Sequence, residues 1–122
     1  MKICITAEGD KLESNVDQRF GRCQYFIFTD TDSAEFEAVQ NENVSGMGGV
    51  GVQSGQLVAE KQAKVVITGK VGPNASQTLQ AAGINVVLDV SGSVKDAIDR
   101  FKNGELKPAK GPNAEEKSGL NN

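Results

Sequence analysis

Histidine and tryptophan are both absent from the 122 residues. Without imidazole the chain lacks the commonest acid/base group near neutral pH and the commonest metal ligand. Cysteine is scarce as well, with only Cys4 and Cys23, whereas a closed zinc or iron–sulfur site normally takes four Cys or His ligands. One chain alone cannot assemble such a site. The N-terminal run Met1-Lys2-Ile3-Cys4-Ile5 breaks at Glu8, too short for a signal peptide, and no later run approaches a membrane span. A cytoplasmic protein with reduced thiols is therefore expected. Excess positive charge is also missing: 13 Lys and Arg against 16 Asp and Glu leave a net charge of −3, which argues against general binding to nucleic acid or to an acidic membrane. Any site for an anion has to be local.

What is present suffices for one core, since 38% of the residues are hydrophobic, and 14 glycines punctuate the chain. Lys2 to Ala7 sets β-branched Ile3, Ile5 and Thr6 around Cys4 and predicts a strand. Glu8 to Arg22 is polar without sustained periodicity, which predicts a long ordered loop. Gln24 to Thr29 is aromatic and β-branched, Asp30 to Ser33 supplies turn chemistry, and Ala34 to Gln40 alternates. That pattern is a hairpin, with Glu35 and Glu37 suited to an outer edge strand.

From Gly49 onward helix-like and strand-like stretches alternate as in βαβ units. Helices are expected over Val50 to Ala63, over Pro73 to Ala82 with proline in the first turn, and from Val94. The last is the clearest, because Val94, Ala97, Ile98 and Phe101 fall on one face behind a Ser93/Asp96 capping box. Gly83 and Gly104 sit where helix C-terminal caps belong. Lys64 to Thr68 and Ile84 to Leu88 read as short buried strands. Asn103 to Asn122 holds two of the three prolines and little to bury, so a single domain over residues 1–102 and a disordered polar tail over 103–122 are expected.

The element order β-β-β-α-β-α-β-α constrains the topology. With strand 2 antiparallel between strands 1 and 3, a right-handed crossover through the first helix puts strand 4 beside strand 1. The expected architecture is an α/β fold with a five-stranded mixed sheet, order 3-2-1-4-5, and helices on both faces. Its crossovers diverge between strands 1 and 4, which makes a crevice at their carboxyl ends, where open α/β sheets bind ligands. The loops after Ala7, Gln40, Thr68 and Leu88 reach that edge.

Three of those loops carry glycine just ahead of a helix, where unpaired N–H groups and the helix dipole favour negative charge. Gly46-Met47-Gly48-Gly49-Val50-Gly51 formally satisfies G-x-G-x-x-G, but it follows a hairpin strand and no acidic residue follows the next strand, so a dinucleotide site is not supported. Thr68-Gly69-Lys70-Val71-Gly72-Pro73-Asn74 has the flavour of a phosphate loop, yet Lys64 and Val71 break the Walker A pattern twice. Nucleotide hydrolysis is not supported either. A second constellation is Arg19-Phe20-Gly21-Arg22-Cys23: the arginines offer planar multi-donor recognition of anions and would draw the Cys23 thiol toward thiolate. The alternative is that Phe20 fills the core, the arginines are solvated or paired with Asp17, and Cys23 begins strand 2. Glu8, Asp10, Glu13 and Asp17 match no acid/base or magnesium motif and read as solvated loop charges.

Four segments stand out together: Lys2-Ile3-Cys4-Ile5, Val16-Asp17-Gln18-Arg19-Phe20-Gly21-Arg22-Cys23, Gly48-Gly49-Val50-Gly51-Val52-Gln53, and Thr68-Gly69-Lys70-Val71-Gly72-Pro73-Asn74-Ala75. In these the chain resembles the nitrogenase iron–molybdenum cofactor biosynthesis accessory family, the NifX-like proteins, to which the C-terminal domain of NifB and the orange protein of sulfate reducers look related. The resemblance implies a three-layer α/β/α ribonuclease-H-like fold and a non-enzymatic role in holding or transferring a metal–sulfur cluster containing molybdenum with iron or copper. It implies protein partners in cofactor assembly. Many members carry His where this chain has Arg19, and again near Gly48. Lacking both, this chain is expected to hold a sulfido cluster noncovalently. The expected cofactor-binding residues are Arg19, Phe20, Gly21, Arg22, Cys23, Gly48, Gly49, Gly51, Thr68, Gly69, Lys70, Gly72 and Asn74, with Cys23 the one candidate metal ligand. The competing expectation is a cofactor-free protein-interaction or regulatory module using the same loops.

Overall fold

A computed structural model of the chain describes residues 1–33, 35–42 and 50–109. Five strands and three helices follow in the order β1 (Lys2–Ala7), β2 (Tyr25–Asp30), β3 (Phe36–Gln40), α1 (Val50–Glu60), β4 (Val65–Ile67), α2 (Pro73–Ala81), β5 (Asn85–Val87) and α3 (Val94–Lys102). The sheet order is β3-β2-β1-β4-β5. β2 runs antiparallel to β1, with Ile5 opposite Ile27, and to β3, while β4 and β5 run parallel to β1. This is the expected architecture.

Strand alternation divides the core in two, since successive side chains leave opposite faces of the sheet. On one face Cys4, Phe26, Phe28 and Val66 pack against Val58 of α1 and Ala75 and Leu79 of α2. On the other, Ile3, Ile5, Ile27 and Ile67 pack against Val94 and Ala97 of α3. β1 is central and buried on both faces, which is why its run Ile3-Cys4-Ile5-Thr6-Ala7 has no exposed residue. The outer strand β3 is treated differently. Glu37 pairs with Lys61 at 2.9 Å, and the ammonium groups of Lys61 and Lys2 lie 5.8 and 5.6 Å from the Phe28 ring centroid. Charged side chains thus cover the sheet where α1 ends.

The boundaries differ from expectation for local reasons. α1 stops at Glu60, not Ala63, because Gln62 takes a left-handed φ of 65° and turns the chain into β4. Gly83 and Gly104 close α2 and α3 at φ of 74° and 79°. Ser93 caps α3 by accepting the Asp96 N–H at 3.0 Å. The chain also stays on the domain past residue 102: Leu106 packs against the second core cluster, and the Ala109 N–H donates to the Val86 carbonyl of edge strand β5 at 2.7 Å. The remainder of the expected tail, 110–122, lies outside the described residues. Among the described residues no helix is long and apolar enough to cross a membrane.

Two glycines four apart set the spacing of α1 and α2. A Cβ at Gly51 would stand 3.0 Å from Cβ of Ala75, and one at Gly55 would stand 2.8 Å from Cγ2 of Thr78. Gly55→Val is expected to destabilise the domain by about 1–3 kcal/mol in urea titration through overpacking. Thr78→Ser, which removes that methyl and keeps the hydroxyl donating to the Asn74 carbonyl, should recover part of the loss.

Candidate functional site

The polar segment after β1 folds back across the carboxyl ends of the strands. Ala7 and Val16 form an antiparallel bridge, and the Asp17 N–H donates to the Thr6 carbonyl at 2.9 Å. The Thr6 hydroxyl donates to the Asp17 carbonyl at 2.7 Å and is hydrogen-bonded at the same distance to the Thr68 hydroxyl. All three residues are buried. The segment then pairs in parallel with the loop after β4: the Lys70 N–H donates to the Gln18 carbonyl at 2.8 Å and the Phe20 N–H to the Lys70 carbonyl at 3.1 Å. The loop after β5 joins them, since the Asp89 N–H reaches the Gly69 carbonyl at 2.8 Å and the Gln18 side-chain amide donates to the Val90 carbonyl at 2.9 Å. On the other side Asn41, just past β3, donates to the carbonyls of Gly21 and Cys23 at 3.1 and 2.8 Å. All four expected loops therefore meet at one edge.

Arg19 and Lys70 are partners in that parallel bridge, so their side chains rise on the same side as neighbours, an arrangement that costs energy for like charges. Both are exposed. Arg22 lies three residues along the same loop, also exposed. Asp17 is the nearest acid to Arg19, with Oδ1 at 3.6 Å from Nε. Asp17 is not the solvated charge expected of it: it is 3% exposed, accepting the Arg19 N–H on Oδ1 at 3.1 Å and the Gln24 N–H on Oδ2 at 3.2 Å. The signal was an Asp two residues before a chain reversal, the pattern of an Asx-turn.

The helix N-termini at this edge are not equivalent. At α3 the first N–H groups are used: Val94 donates to the Ser14 carbonyl, Lys95 to the Leu12 carbonyl and Asp96 to Ser93. At α2 the N-cap is Gly72, which has no side chain to offer, Pro73 has no N–H, and the Asn74 and Ala75 N–H groups donate to no described residue. This leaves two backbone donors and the positive end of a helix beside Lys70.

The glycines divide by cause. A Cβ on Gly69 would stand 2.7 Å from Cα of Gln18, so Gly69 is there for close approach of the two loops. Gly51 is accounted for by helix packing. Gly72 has φ of −80° and nothing within 4 Å of a Cβ, so neither strain nor crowding requires glycine there. Gly48 and Gly49 lie outside the described residues.

Phe20 and Cys23 face inward. Both belong to the core cluster under α1 and α2, and Phe20 meets Phe26 edge-to-face at 6.0 Å. The expectation that the arginines draw Cys23 toward thiolate is overturned: burial pushes its thiol well above the ordinary value, with Cys4 and Asp17 adding to the rise. Cys4, wholly buried, is raised by burial too. Both thiols are free, and among the described residues no group of three or more His, Cys, Asp or Glu could hold a metal ion.

Comparison with known proteins matches the family described as dinitrogenase iron-molybdenum cofactor over residues 1–104. The chain belongs to this family. It is similar to the apo form of the orange protein from Desulfovibrio gigas, with a TM-score of 0.90 and 41% identity over 93% of this chain and 96% of that one. The Thermotoga protein TM1290 is 37% identical with a TM-score of 0.77, over 88% of this chain and 91% of that one. Protein MJ0580 of Methanocaldococcus jannaschii is 29% identical over 109 residues, 87% of this chain and 89% of that relative.

Two outcomes follow from this geometry. Gly72→Ala should cost only the N-cap preference for glycine over alanine, about 1 kcal/mol or less, whereas Gly69→Ala should cost more, up to about 3 kcal/mol, by forcing the loops apart; thermal unfolding distinguishes them. The raised thiol values mean that the folded state keeps its protons where the unfolded state loses them. Stability from both thiols is therefore full below about pH 9 and falls as pH rises beyond it. Native protein at pH 8 should resist iodoacetamide at Cys4 and Cys23, and urea should expose both to alkylation, read by mass spectrometry.

Proposed function

We propose that this protein is a non-enzymatic carrier of an anionic metal–sulfur cluster, held noncovalently at the carboxyl edge of the sheet and passed to protein partners in metallocofactor assembly. The observation that carries the reading is the side-by-side presentation of Arg19 and Lys70. The bridge fixes their backbones as neighbours, so two exposed cationic side chains start from adjacent positions and one anion can meet both. The Asn74 and Ala75 N–H groups add backbone donors beside Lys70, and Arg22 lies exposed on the same loop as Arg19. Such a site suits cargo that brings its own sulfide, because the chain's thiols lie in the core and its donors lie at the mouth.

Thr68, Gly69, Phe20 and Cys23 then act as framework: Thr68 ties the loops to β1, Gly69 permits their approach, and the other two anchor the segment from below. The family supports a connection with iron–molybdenum cofactor, and with it a molybdenum-containing sulfide anion as the cargo. A net charge of −3 supports a local basic patch rather than a basic surface, and with it a carrier that leaves nucleic acid and membranes alone.

Anaerobic addition of thiomolybdate with copper, or of iron–molybdenum cofactor, to apo protein should leave a visible chromophore after desalting. Changing Arg19 and Arg22 together to Ala should lower retention about tenfold or more, two charge-assisted contacts being worth that much. No retained chromophore in the parent, or equal retention in the double variant, sinks the proposal.

A further inference from the structure

We infer that Asp17 is a positioning residue that selects which edge of the Arg19 guanidinium is offered to an anion; this rests on the carrier reading above. A carboxylate beside an anion site would be expected to weaken it by repulsion. Asp17 nevertheless sits beneath the mouth, 3% exposed, so its presence needs a compensating role.

Its three contacts define that role. Oδ1 accepts the Arg19 backbone N–H at 3.1 Å and stands 3.6 Å from Arg19 Nε, while Oδ2 accepts the Gln24 N–H at 3.2 Å. One carboxylate therefore spans both ends of the segment that carries Arg19 and Arg22. Its backbone is fixed to the sheet through the Thr6 and Thr68 hydroxyls. The arginine main chain is held by a hydrogen bond and its Nε lies within ion-pair distance of Oδ1, which biases the orientation of a side chain that is otherwise 60% exposed. The Nη1 and Nη2 groups have no partner among the described residues, and they are the donors that form a fork toward a bound anion. Tethering before binding lowers the ordering cost that binding would otherwise carry.

Electrostatics and positioning predict opposite signs for Asp17→Asn. Removing a negative charge near the site should tighten anion binding if charge alone mattered. If Asp17 positions Arg19, Asp17→Asn should weaken thiomolybdate–copper retention about threefold to tenfold, despite the more positive site, because the guanidinium loses its tether. A second measurement needs no variant and no cargo: in apo protein the carboxylate beside Nε should shift the Arg19 Nε–H resonance away from those of the other arginines. In Asp17→Asn it should move to the position of a solvated arginine while the amide spectrum of the sheet is retained. Tighter or unchanged retention in Asp17→Asn, or an Arg19 Nε–H already at the solvated position in the parent, overturns the inference. Should the parent retain no chromophore, the carrier reading falls by its own test, and the apo resonance still decides whether Asp17 tethers Arg19.

Discussion

The parallel pairing of residues 18–20 with 69–71 is the contact on which the rest of the carboxyl edge depends. The pairing of β1 with β4 ends at Ile5 and Ile67, and past the Thr6–Thr68 hydroxyl hydrogen bond the two segments would diverge as loops. The bridge between Arg19 and Lys70 extends the sheet by a further rung, and it is available because Gly69 lets the backbones approach to where a Cβ would strike Cα of Gln18. The price in charge proximity is set by the same contact. Once the backbones pair, the side chains of Arg19 and Lys70 have no choice but to be neighbours.

The glycine-rich loops are less alike than their composition suggests. Gly51, with Gly55, answers to the distance between two helices, and Gly69 answers to the distance between two loops. Neither is shaped for a ligand. Gly72 is different, since a side chain would meet nothing there and the backbone is extended. A serine or aspartate at that N-cap would satisfy the α2 donors internally, as Ser93 does at α3. The absence of a cap at α2 leaves its donors to whatever binds in front of it.

The strand order was legible from the sequence because three rules agree: hairpin chemistry at Asp30 to Ser33, βαβ alternation after Gly49, and right-handed crossover. Periodicity also located α3, whose apolar face and cap are both explicit. The end of α1 was not legible, because the reversal hangs on a left-handed Gln62 that no composition signal marks. The hold on Leu106 was hidden for a related reason: one apolar residue in a polar stretch gives no period, and its value comes from lying beside an edge strand. At the site, the convergence of four loops followed from topology, but the division of labour within residues 16–23 did not. Alternating inward and outward residues in an irregular segment have no fixed period, so Phe20 and Cys23 could not be separated from Arg19 and Arg22 by pattern.

That separation changes the chemistry available to the edge. A thiol in the mouth beside two guanidinium groups would be a soft, ionised metal ligand; a thiol in the core is a small apolar residue with its proton held on by burial. The donors that remain outside are the cationic groups of Arg19, Arg22 and Lys70 and backbone N–H groups, and such groups bind the outer shell of an anion without entering its metal coordination. Cargo held this way keeps its own ligands intact, and its release requires only that a partner offer competing donors or a bond to the metal. A carrier needs reversible holding of that kind, and the inward turn of Cys23 favours it as much as the outward turn of Arg19 does.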